Sequence, residues 1–142
     1  MGSTITIDVV GIDQIKKDLV SIAQTKRLRQ AIGTATGIVL SDAKTLCPVD
    51  TGALRSSIHM SVRNADNDIV GRVYTNKEYA AYVEFGTGEK GASSDYPKAS
   101  ELGLSYSPDR KGQVAQPYMY PALKQNQTKI NRLIEDALRN EI

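Results

Sequence analysis

Leu28, Ile32, Ala35, Val39, Ala43 and Leu46 recur at spacings of three and four, and the series stops at Pro48. That period predicts a long helix with one buried face, Thr25 as its N-cap and Pro48 as its stop. Beyond Asp50 the period changes to two. Ile58, Met60 and Val62 alternate with His59, Ser61 and Arg63, and Ile69 to Thr75 alternates again across the polar stretch Asn64–Asp68. Two such runs around a polar connection predict an antiparallel hairpin. A chain holding both periods side by side must bury a helix face against a sheet face, so the expected class is α+β.

The other elements follow from the same patterns. Thr4 to Val10 alternates and predicts a further strand, while Ile12, Ile15, Leu19, Ile22 and Ala23 predict a first helix over 12–24. Tyr79, Tyr82 and Val83 share a face of a helix over 78–85, with Gly86 at its C′ position. Leu123, Ile130, Ile134, Ala137 and Leu138 line a final helix with Pro121 at its first position, and Tyr118–Tyr120 is expected to add an extended segment to the sheet. The whole is read as one domain over residues 1–142: a small antiparallel sheet packed by two or three helices. Gly33 and Gly37 fall inside the long helix, where each costs about 1 kcal/mol against alanine. That cost predicts close approach of another backbone. A phosphate-cradling loop is the alternative, but no lysine follows in the required arrangement.

Composition removes several classes of function. With 18 basic and 16 acidic residues in 142, the net charge of +2 lacks the excess of a dedicated nucleic-acid binder. A single cysteine excludes an internal disulfide, and a single histidine excludes the familiar zinc constellations. No apolar run is long enough to span a bilayer, and Met1–Ile5 carries no secretory signal, so folding in a reducing cytosol is expected. Cys47, Asp50 and His59 are the residues from which a thiol nucleophile would be assembled. Cys47, however, closes an apolar helical face, the place of a small buried hydrophobe. Glu78 and Glu84 stand six apart, on different faces of a helix. Gly86-Thr87-Gly88 follows a helix instead of joining a strand to one, which is the wrong setting for a nucleotide fingerprint. Lys16, Lys17, Lys26, Arg27 and Arg29 form either a solvated helix end or a weak contact for a nucleic-acid backbone. No catalytic residue, cofactor site or metal site is expected.

Residues 87–116 are rich in Gly, Ser and Pro and show no clear period, which predicts a long loop, mobile in the isolated protein. Its Tyr96 and Tyr106 are expected to order against a neighbouring subunit.

Three blocks then occur in order: Cys47–Ile58 (CPVDTGALRSSI), Tyr79–Gly88 (YAAYVEFGTG) and Gln116–Leu123 (QPYMYPAL). Together they resemble the tail-completion, or head–tail joining, minor tail proteins of long-tailed bacteriophages and their prophages. The resemblance implies a non-catalytic protein of the virion neck, made in the host cytoplasm. It implies a homo-oligomeric ring around the DNA channel, beside other neck and tail proteins and with non-specific proximity to DNA. A tail terminator or stopper is the neighbouring alternative. Rivals from other classes are a small nucleic-acid-binding module, which would bind DNA with a steep salt dependence, and a cysteine hydrolase, which would need a depressed thiol pKa. Within the blocks, Asp50, Thr51 and Gly52 suit a tight turn, with Leu54 and Arg55 in one helical turn beyond it. Arg55 is a candidate partner for Glu84. Gly86, Pro117 and Pro121 mark element boundaries. Tyr79, Tyr82, Tyr118 and Tyr120, with Tyr96 and Tyr106, are the candidate interface residues, because amphipathic rings serve a core rim or a contact surface.

Overall fold

The computed structural model describes residues 5–10, 22–65, 68–94 and 105–139. In chain order these form β1 (Ile5–Val10), α1 (Ile22–Leu46), α2 (Ala53–Ser56), β2 (His59–Ala65), β3 (Asp68–Thr75), α3 (Ala80–Phe85), α4 (Gly88–Ala92), α5 (Met119–Gln125) and α6 (Gln127–Arg139). The arrangement is α+β, as the two periods require. The described strands make one antiparallel sheet in the order β1-β3-β2, with Ala65 opposite Asp68 in the hairpin and Ile5 opposite Thr75 across β1.

α1 is the axis of the domain. Its buried residues Leu28, Ile32, Ala35, Val39 and Ala43 keep the predicted spacing, but the series ends on buried Cys47, four residues past Ala43, while Leu46 turns outward. α1 packs on β3 on one side and on α5 and α6 on the other. β3 presents Ile69, Gly71, Val73 and Thr75 as its buried face, the period-two pattern of a half-buried strand. α6 meets α1 through Ile130, Ile134 and Ala137.

Several expectations need correction. α1 is continuous through Thr25, so there is no N-cap there and residues 22–24 belong to α1; the rest of the expected first helix, 12–21, lies outside the described residues. The hairpin strands run to Ala65 and from Asp68, longer than their apolar alternation. Tyr118–Tyr120 adds nothing to the sheet but forms the entry of α5, and Pro121 sits in the third helical position, not the first. The final helix is two helices with an elbow at Asn126. There the Asn126 Nδ2 donates to Asp42 Oδ2 on α1 at 2.7 Å and to the Ala122 carbonyl at 2.7 Å, and Gln125 Nε2 reaches the same Asp42 oxygen at 3.0 Å. These donors, Asn126 first, hold the Asp42 carboxyl below its usual range.

Close backbone packing does occur on α1, but not at the helical glycines. Among the described residues, a Cβ added at Gly33 or Gly37 would meet nothing within 4 Å, whereas one at Gly71 of β3 would clash with Thr36 Oγ1 and fall 3.1 Å from Ile32 Cγ2. The strand supplies the glycine that lets helix and sheet approach. Thr36 is fully buried there and satisfies its hydroxyl by donating to the Ile32 carbonyl at 2.6 Å. At the far end of β3, buried Thr75 and Ser57 join hydroxyls at 2.6 Å. Ser57 donates to the Leu54 carbonyl and Thr75 accepts the Lys77 amide, which ties α2 to the sheet.

Candidate functional site

The second and third sequence blocks meet at one buried carboxylate. Glu84, on α3, is 1% exposed. Its Oε2 accepts the amides of Tyr118 at 2.8 Å and Met119 at 2.9 Å, and Oε1 accepts that of Tyr120 at 3.1 Å. The first amides of a helix have no partner within it, and Pro121 has no amide to satisfy, so one carboxylate completes the N-terminus of α5. Burial pushes the Glu84 carboxyl above its usual range, and the three amide bonds pull back against that rise. Arg55, the candidate partner, goes elsewhere: its Nη2 donates to the Cys47 carbonyl at 3.4 Å, tying α2 back to the end of α1.

Within the stretch 87–116, expected as a long loop, the described residues hold a short helix and a laced base. Gly86 ends α3 at φ +76°, and a Cβ there would lie 2.7 Å from both Ala115 N and the Gln113 carbonyl. Such a close approach requires glycine. Past it, Thr87 and Gln113 exchange backbone hydrogen bonds at 2.9 and 3.0 Å, and the Glu89 and Lys90 amides reach the carbonyls of Arg110 and Lys111. Both ends of the stretch are therefore laced together, with α4 inside it. Gln116 donates to Val83 at 2.8 Å and carries the chain on to Glu84. Tyr106 faces inward, its hydroxyl on the Phe85 carbonyl at 2.9 Å. Tyr96 lies outside the described residues.

These ties shape a groove of about 610 Å³ between the 48–54 turn, α3 and residues 113–116. Thr51 Oγ1 accepts the Ala53 amide at 3.2 Å, and Gly52 enters α2 at φ +85°. The turn so formed buries Leu54 and leaves Val49 exposed. Opposite stand Tyr79 and Tyr82, with Val114 at the end; these four are 54%, 42%, 57% and 56% exposed in chain order. Among the described residues, Asp50 is the one charged residue lining the groove. Exposed tyrosine and apolar side chains thus cluster along the groove.

The candidate interface residues thus separate. Tyr79 and Tyr82 line the groove, and Tyr120 is 37% exposed with Lys124 Nζ 5.5 Å over its ring. Tyr118 belongs to the core instead: it is fully buried, and burial, then nearby Glu84, pushes its phenol far up. Cys47 is buried, and burial pushes its thiol up, the opposite of nucleophile activation. His59 is exposed beside the Tyr74 ring. Of the basic cluster, Arg27 Nε reaches the Ala137 carbonyl at 3.4 Å and Arg29 bonds to β2, while Lys16 and Lys17 lie outside the described residues. Among the described residues no helix is long and apolar enough to cross a membrane.

The family described as "Bacteriophage HK97-gp10, putative tail-component" matches residues 12–86. The chain belongs to this HK97-gp10-like family. No curated protein and no solved structure matches it.

Proposed function

We propose that this chain is a non-catalytic subunit of the phage neck that completes the tail and joins it to the head. Copies assemble head-to-tail in a ring around the DNA channel, beside other neck and tail proteins. The observation that carries this reading is the groove of Val49, Tyr79, Tyr82 and Val114, the contact surface an assembly subunit needs. The family match supports a tail component, and the three ordered sequence blocks support tail completion within that class. The chain works from the host cytoplasm into the virion, and its modest charge of +2 suits a place near DNA without a dedicated binding site.

The test is complementation of a phage lacking the gene with Tyr79→Ala/Tyr82→Ala. Both rings are exposed, so folding is expected to survive within about 0.5 kcal/mol per site. Heads and tails should then accumulate unjoined. Normal yields of joined particles from a folded double variant would overturn the groove's assignment.

A further inference from the structure

β2 is an edge strand: β3 pairs one side of it, and among the described residues no strand pairs the other. Edges of this kind are ready templates for pairing with a second chain unless something blunts them. In an antiparallel ladder, alternate residues turn both backbone groups to the partner and the residues between turn both away. The Val62 carbonyl faces away from β3, because it accepts Arg29 Nη2 from α1 at 3.2 Å; Arg29 Nη1 also takes Asn64 Oδ1 at 2.8 Å. By the same alternation Met60, Val62 and Asn64 carry the outward backbone groups. A second copy laid antiparallel about Val62 would set Met60 against Asn64 and Ser61 against Arg63, so no like charges oppose one another. The β2 edge is therefore self-complementary, and the guanidinium fork of Arg29 lies across its centre.

We infer that Arg29 guards the free edge of β2 and holds the subunit back from edge-to-edge pairing with a second copy. A two-fold β2 dimer is an isologous contact, whereas a ring is built from head-to-tail contacts. On the ring reading proposed above, such a dimer would compete with assembly, and the guard keeps free subunits available for it.

The experiment measures mass against concentration by light scattering for the free wild type, Arg29→Ala and Arg29→Ala/Asn64→Pro. Proline at 64 removes an outward amide that an added strand would use and leaves the bonds to β3 alone. Arg29→Ala should show a weight-average mass that rises with concentration towards twice that of the monomer, while the wild type stays below it at equal concentration. The variant's Val62 amide should gain protection from hydrogen exchange, and the Asn64→Pro change should return the mass to the wild-type curve. Arg29→Gln, too short and too poor in donors to hold both acceptors, is the second variant should Arg29→Ala not fold. Equal masses for folded wild type and Arg29 variants would overturn the inference, as would a mass increase that proline at 64 leaves untouched. Neither result touches head–tail joining, which is scored separately in phage.

Discussion

Replacing Glu84 by alanine deletes the acceptor of three amides at once. Tyr118 and Met119 are fully buried, so their amides lose their partner with no route to bulk water, while Tyr120 is 37% exposed and can turn to solvent. An unsatisfied buried donor costs about 1–3 kcal/mol. Two of them, less the desolvation of the carboxylate itself, give a net loss of about 2–4 kcal/mol. At this chain length that corresponds to a fall in Tm of about 7–14 °C. Glutamine is a different case. Its carbonyl oxygen has two lone pairs and can keep both buried amides, so only the bond to half-open Tyr120 is lost, and about 1 kcal/mol is expected. Urea titrations of wild type, Glu84→Ala and Glu84→Gln at pH 7, read by circular dichroism, give the three stabilities. A Glu84→Ala protein within 0.5 kcal/mol of wild type would refute the capping role. A Glu84→Gln protein as damaged as Glu84→Ala would show that charge, not acceptor geometry, holds α5.

The same residue predicts a pH dependence. Its folded pKa is raised by burial, so the stability from its proton is fully present below about pH 4.5 and is lost as pH rises through the folded value. Relative to Glu84→Gln, the wild type should weaken over that window and then level off; a stability difference that grows with pH would contradict this. Gly33→Ala and Gly37→Ala should each stabilise the free protein by about 0.5–1 kcal/mol, because the new methyl meets nothing among the described residues. Gly71→Ala should cost about 1–3 kcal/mol through its clash with Thr36, and thermal melts compare all three. Cys47→Ser and His59→Gln, provided they fold, should leave head–tail joining near normal in complementation, and a folded variant that abolishes joining would put the structural reading in doubt.

The sequence showed the fold wherever burial is periodic. Leu28 through Ala43 and Ile69 through Thr75 report their own faces, because each side chain's environment repeats with the backbone. It was silent where a single polar group does several jobs. Glu84 stands in an ordinary helical pattern, and nothing local announces that its carboxylate serves amides 34 to 36 residues away. Tyr118 and Tyr120 differ by two positions, yet one is core and one is half-exposed, since the chain turns into α5 between them. The glycines misled for a related reason. Gly33 and Gly37 looked like the point of close approach, but contact across elements was decided by Gly71, whose role depends on the register of β3 under α1. The groove was partly legible, in that Tyr79 and Tyr82 share a helical face. Val49 joins them through the 48–54 turn and Val114 through the lacing of 87–116, neither of which a period encodes.

Electron microscopy of particles from a phage in which this gene is disrupted would show directly whether the chain joins heads to tails. Filled heads and finished tails should lie separate, with joined virions restored by the wild-type gene. Intact, infectious particles made without the protein would contradict it.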